Sequence, residues 1–243
     1  MSTLPIAIGL SLLGSLGSVL LAASLLLFKS TLRIKLVPWL VSFAVGTLLG
    51  VALLDILPES LETLKPPAVF GTLLGGILAF FIFEKLVLWR HCHADHCEVH
   101  AAAAPLILVG DAVHNFIDGA VIAAATAVSV PLGISTALAV AAHEIPQEVG
   151  DFAILLSAGY SRMRALWLNL LSGLSAVAGV LVAGLAINTA PAVLPYFLPI
   201  AAASFLYVAM SDLIPSLHRG PFERSALRQI LVVGAGIAMV VFL

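Results

Sequence analysis

Eight stretches of this 243-residue chain stay apolar for eighteen residues or more, and runs of that length and composition read as membrane-spanning helices. They cover residues 4–28, 38–57, 68–89, 103–127, 131–157, 164–187, 193–215 and 226–243. With 61% hydrophobic residues and a mean hydropathy of +1.15, too little polar residue remains to coat a soluble surface. Gly and Ala recur in most runs, and such small residues let membrane helices approach closely. The connections are short. The expected fold class is therefore an all-α integral membrane protein: eight transmembrane helices in one compact bundle over residues 1–243, with a lipid bilayer around it.

The basic residues test that count independently, because cytoplasmic loops are enriched in Lys and Arg. Lys29, Arg33 and Lys35 follow the first run, and Lys85 and Arg90 follow the third. Arg162 and Arg164 follow the fifth, and Arg219, Arg224 and Arg228 surround the connection after the seventh. Of 11 basic residues, Lys65 alone falls on the other side. The alternation predicts basic loops inside and both termini extracytoplasmic, in a multi-pass protein of the plasma (inner) membrane. The N-terminus lacks the basic region of a cleaved signal peptide, and its apolar run exceeds a typical signal core. A net charge of −2 carries no sign of nucleic acid, and a homodimer is compatible with the sequence.

Two internal echoes suggest inverted-repeat character. "LLDILPESL" (53–61) closes the second run and "MSDLIPSLH" (210–218) closes the seventh, and these runs cross in opposite directions. "HNFIDG" (114–119) and "HEIPQE" (143–148) form a fainter pair on runs four and five. Inverted repeats meeting near the bilayer midplane are a mark of secondary transporters.

Runs four and five also carry the chemistry. At about 3.6 residues per turn, Asp111, His114, Asn115 and Asp118 share one helix face. His143, Glu144, Gln147, Glu148 and Asp151 share one side of the next helix. An acid at the centre of a span costs roughly 2.5–3.5 kcal/mol, so five uncompensated carboxylates would cost on the order of 10 kcal/mol or more. Neither run holds a Lys or Arg to pair with them. Protonation, water or a cation must compensate, and two imidazoles, two amides and several carboxylates suit a divalent metal such as zinc or ferrous iron. Pro146 removes one backbone hydrogen bond and is expected to kink its helix, leaving the carbonyl near Ala142 free among these residues.

"HNFIDG" followed by "HEIPQEVGDFAIL" resembles the paired signatures of the ZIP (Zrt/Irt-like protein) family of divalent metal transporters. "FAVGTLLGVALLDILPES", "FFIFEKLVLWRHCH" and "FLYVAMSDLIPSLH" resemble that family's second, third and seventh spans. The resemblance implies a metal site between spans four and five, with His114, Asn115, Asp118, His143, Glu144 and Gln147 as ligands. Gln147 departs from the His or Glu of many members. Span six offers Asn169, Ser172 and Ser175 where some members have an acid at a second metal position. Asp111, Glu148 and Asp151 are candidates for a second site or for the pathway. Asp55, where relatives often have His, and Asp212 are candidate relay ligands. The resemblance further implies transport into the cytoplasm, zinc first with iron, manganese and cadmium as further candidates, by an elevator-like slide of the metal-bearing spans. The metal is substrate, and no prosthetic group is expected.

"RHCHADHCEVH" (90–100), in the predicted cytoplasmic loop 90–102, offers His91, Cys92, His93, His96, Cys97 and His100 as a further metal-binding tract. The cytosol keeps thiols reduced, so the two Cys are ligands rather than a disulfide, and such tracts bind metal without fixed spacing. Two other functions use the same central residues. A passive metal-selective channel needs the same site. An intramembrane zinc protease would read "HEIPQ" as H-E-x-x-H, but Gln147 replaces the second ligand and Pro146 distorts the turn. The chain is therefore expected not to be an enzyme.

Overall fold

The structure is a computed structural model that describes residues 3–28, 30–89, 99–218 and 226–242. Its described residues form eight helical rods and no strand. We number them α1 (Leu4–Leu25), α2 (Ser30–Gly50, continued by Val51–Ile56 and Leu57–Thr63), α3 (Pro66–Trp89) and α4 (Val99–Val128). Then come α5 (Val130–Ser157), α6 (Arg162–Gly173 and Ser175–Thr189), α7 (Leu194–Tyr207, Val208–Leu213 and Ile214–His218) and α8 (Ala226–Val241). The rods follow the apolar runs, with one systematic difference. α2 and α4 begin before the apolarity does, at Ser30 and Val99, because a helix does not end where its charges begin. His91, Cys92, His93, His96 and Cys97 lie outside the described residues, as does the side chain of His100.

Six segments are long and apolar enough to cross a membrane: Leu4–Leu25, Lys35–Thr63, Pro66–Lys85, Leu108–Val128, Arg162–Thr189 and Leu194–His218. The chain is a multi-pass membrane protein. The two rods outside that set differ for physical reasons. α8 has 16 residues, and α5, at 28 residues, is diluted by Glu144, Glu148 and Asp151. α5 runs as one helix through Pro146, so the expected kink does not interrupt it.

Local signals set the ends. Ser129 caps α5 by accepting from the Leu132 N–H at 3.2 Å, and Ser161 caps α6 by accepting from the Arg164 N–H at 3.3 Å. Between them Gly159 takes φ +88°, and the Tyr160 N–H closes back on the Leu155 carbonyl at 3.1 Å. That reversal favours glycine, which has no Cβ to clash.

Two stretches are π-helical, Val51–Ile56 in α2 and Val208–Leu213 in α7. In each, the next N–H reaches back five residues, Leu57 to the Ala52 carbonyl and Ile214 to that of Ala209. A proline follows at once, Pro58 or Pro215. Its ring would strike the carbonyl four residues back in a regular helix, and the wider turn relieves that clash. These two turns contain Asp55 and Asp212, the acids of the sequence echo.

The rods fall into two sets by contact: α1, α4, α5 and α6, and α2, α3, α7 and α8. α4 and α6 touch backbone to backbone. A Cβ on Gly119 would overlap the Ala176 carbonyl, and one on Gly179 would overlap that of Phe116. The sets meet where α2 packs on α5 and α4 on α7, and the largest buried apolar cluster lies along that seam.

Candidate metal site

The seam holds the polar residues. His114 and Asp118 come from α4, one turn apart, and His143 and Glu144 come from α5. His114 Nε2 lies 3.0 Å from His143 Nε2, 3.7 Å from Asp118 Oδ2 and 3.6 Å from Glu144 Oε1. His143 Nε2 lies 3.0 Å from Asp118 Oδ2 and 3.9 Å from Glu144 Oε1. Four donors bound tetrahedrally at zinc distances of about 2.0–2.1 Å would stand roughly 3.4 Å apart. The five separations bracket that value.

The surroundings of the His143 ring fit as well. His143 Nδ1 lies 2.9 Å from the Ala139 carbonyl, which only accepts, so Nδ1 carries the proton. In a neutral ring, Nε2 then presents its lone pair to the other three donors. Imidazoles that bind metal usually donate their other N–H in this way.

Burial makes the cluster costly without a cation. His143 and Asp118 are 1% exposed and Glu144 is 0% exposed, while His114 is partly open. Both oxygens of Glu144 and Asp118 Oδ1 lack hydrogen-bond partners among the described residues. A buried polar group without a partner costs free energy that a bound ion would offset.

A second group adjoins the first through Glu144. Asp111, Glu144 and Glu148 each bring an oxygen within 4.8 Å of the others, all three buried. Both Glu148 oxygens and Asp111 Oδ2 are without partners among the described residues. Asp151 is buried nearby but belongs to neither group.

The remaining sequence candidates lie in different places. Asn115 donates from Nδ2 to the Asp111 carbonyl at 3.2 Å and to Asp111 Oδ1 at 3.0 Å, and its Oδ1 accepts from Ser15. Gln147 donates to the same Asp111 Oδ1 at 3.3 Å. Both amides therefore serve a carboxylate. Asp55 stands apart from the cluster, lining a pocket of about 290 Å³ with Glu59, Glu62 and Ser135. Asp212 lines a cavity of about 320 Å³ that reaches His114 and Gln147 from the seam. Glu84 of α3 lines it too and accepts a hydrogen bond from Tyr207.

Two residues here had not been singled out in the sequence. Glu84, beside Lys85 at the end of an apolar run, reads from the sequence as an interface charge, and no sequence pattern foretells its hydrogen bond with Tyr207 of α7. Ser15 leaves a weak trace, because Ser11, Ser15 and Ser18 share a face of α1. The site has one closed side. Val121 and Ile122 of α4 with Ala139 and Val140 of α5 join Leu48, Leu198 and Phe205 in the buried cluster on the α4–α5 turn side. Phe205 meets the His143 ring edge-on, centroids 6.1 Å apart.

A multi-pass helical bundle with paired imidazoles and buried carboxylates on two adjacent helices defines a class of protein: membrane bundles whose buried side chains could hold a metal ion. Comparison with known proteins narrows the class. The ZIP zinc transporter family matches residues 90–243, more than half of the chain, and the chain belongs to that family. It is similar to zinc transporter ZIP4 of Homo sapiens, 34% identical over 72% of this chain and 38% of that protein. It is equally similar, at 34%, to zinc transporter ZIP13 of Pongo abelii, over 83% of this chain and 65% of that protein. Against zinc transporter foi of Drosophila melanogaster it is 42% identical over 49% of this chain and 17% of that protein. The chain thus spans less than two thirds of the length of these relatives. They are transporters rather than enzymes, and the protease reading gains nothing from them.

Proposed function

We propose that the chain carries zinc and similar divalent ions across its membrane to the side of the basic loops, through the site formed by His114, Asp118, His143 and Glu144. The observation that carries this reading is the set of four donors from two adjacent helices, with five of their six separations at 3.0–3.9 Å, close to those of a tetrahedral zinc site. Asp111 and Glu148 extend the path as an adjoining all-oxygen station, with Glu144 common to both. Asn115 and Gln147 orient Asp111 rather than binding the ion themselves. The cavity bearing Asp212 and Glu84 is the way out, and the acidic pocket at Asp55 the way in. In this arrangement the site is closed toward the α4–α5 turn and open toward the cavity. All eight rods cross the bilayer, with both termini on the side away from the basic loops. Zinc is the preferred ion because imidazole accompanies carboxylate in the donor set; manganese, iron and cadmium compete.

Two contact sets meeting at the seam support a carrier that slides one against the other, in preference to a channel. Purified protein in liposomes loaded with a zinc-sensitive dye tests the reading. Wild type is expected to show saturable zinc entry, and His143→Ala and Asp118→Asn to fall to the level of protein-free vesicles. Undiminished flux in both variants would move the pathway elsewhere. Flux that rises linearly with zinc would favour the channel.

A further inference from the structure

α1 contributes no residue to the metal cluster, yet one of its side chains reaches the cluster's neighbour. Ser11 and Ser18 spend their hydroxyls on carbonyls of their own helix, Ile8 and Gly14, with Ser18 also 3.4 Å from the Ala141 carbonyl. Ser15, 2% exposed, instead leaves α1. Its hydroxyl serves Asn115 Oδ1 of α4 and lies 3.0 Å from the Gly173 carbonyl of α6. Gly173 makes room for it, since a Cβ there would stand 2.8 Å from the Ser15 oxygen.

The direction of the Asn115 amide follows from its surroundings. One end lies 3.2 Å from the Asp111 carbonyl oxygen and 3.0 Å from Asp111 Oδ1. Both are acceptors, so that end is the NH2 group. The other end is the amide oxygen, which only a donor can face, and Ser15 is that donor. Turned the opposite way, the amide would set its oxygen against two oxygens of Asp111. With Oδ1 held by Asn115 and Gln147, Asp111 Oδ2 has no hydrogen-bond partner among the described residues.

We propose that Ser15 is a positioning residue for metal transport: by fixing the Asn115 amide it holds Asp111 in place beside Glu144 and Glu148. This rests on the reading of the α4–α5 cluster as the transport site. A hydroxyl that merely tied helices together would affect stability alone. A positioning hydroxyl sets how well the metal is held, so its loss appears in the half-saturating concentration.

Zinc flux into dye-loaded liposomes, measured across zinc concentrations, separates the two roles. Ser15→Ala is expected to raise the half-saturating concentration about threefold or more, the scale of one interhelical hydrogen bond, while the maximal rate holds. Ser11→Ala removes a buried hydroxyl from the same helix without touching Asn115, and is expected to match wild type. Zinc affinity of the same variants in detergent, read by competition with a chromogenic chelator, should fall in the same order. An unchanged half-saturating concentration and affinity in Ser15→Ala would overturn the proposal, as would an equal shift in Ser11→Ala. His143→Ala run alongside isolates the premise: if it retains wild-type flux, the transport-site reading itself fails.

Discussion

One backbone oxygen decides what His143 can do. The Ala139 carbonyl holds the proton on Nδ1, and Nε2 is left to bind. Sequence spacing reveals this much of the cluster, because His114 and Asp118, one turn apart on one apolar helix, and the adjacent His143 and Glu144 on the next helix come to one seam. Spacing does not reveal the part played by Asn115. It shares the face of His114, but its amide is taken by Asp111 and by Ser15 of a helix far away in sequence. Gln147 is similar: its place marks a ligand, its hydrogen bond makes it a donor to Asp111. Gln147→His adds an imidazole beside the cluster and removes an amide donor. Since imidazole favours zinc over manganese, the zinc-to-manganese flux ratio is expected to rise in this variant. A ratio unchanged in competition assays would place residue 147 outside the metal's reach.

Among the elements, the π-helical turns carry the clearest consequence. An extra residue in one turn rotates everything beyond it by about 100° relative to a regular helix. Pro58 and Pro215 hold those turns open, and the aspartates within them face the small pocket and the cavity. Pro215→Ala restores a backbone N–H and permits a regular helix, and it is expected to lower zinc flux while circular dichroism stays the same. Pro199→Ala, in the same rod but outside the turn, is expected to transport more than Pro215→Ala does. The echo of "LLDILPESL" in "MSDLIPSLH" marked both places, but a sequence match does not tell a widened turn from a regular one. The α4–α6 contact gives a stability test. Gly179→Ala drives a methyl into the Phe116 carbonyl, a misfit that costs about 1–3 kcal/mol or more and should lower the detergent melting midpoint. Gly234→Ala, with open space around its Cβ, should not.

For the whole molecule, the two contact sets matter most, and they are the feature least visible in the sequence. Eight apolar runs and their basic flanks give a count and a direction, but not which helices move together. Close contacts at Gly119 and Gly179 hold α4 to α6, whereas α5 meets α2 across the apolar seam. Sliding one set past the other would carry the cluster with α4 and α5. A bifunctional thiol reagent can test this once Cys92 and Cys97 are replaced by Ser. Joining Glu59→Cys to Ser135→Cys, which line one pocket across the sets, should stop zinc flux. Joining Thr3→Cys to Asn188→Cys, which line one pocket of about 270 Å³ at the start of α1 and the end of α6, in the same set, should leave it running. Equal flux after both bridges would contradict the sliding carrier.

In the proposed transport site, zinc sits between α4 and α5 on imidazole and carboxylate. X-ray absorption at the zinc edge reads those ligands directly. The protein should carry Cys92→Ser and Cys97→Ser and hold less than one equivalent of zinc. Nitrogen and oxygen donors are expected at about 2.0–2.1 Å, with an imidazole signal that weakens in His143→Ala. An imidazole signal untouched by that substitution would place the metal elsewhere and rule out the α4–α5 site.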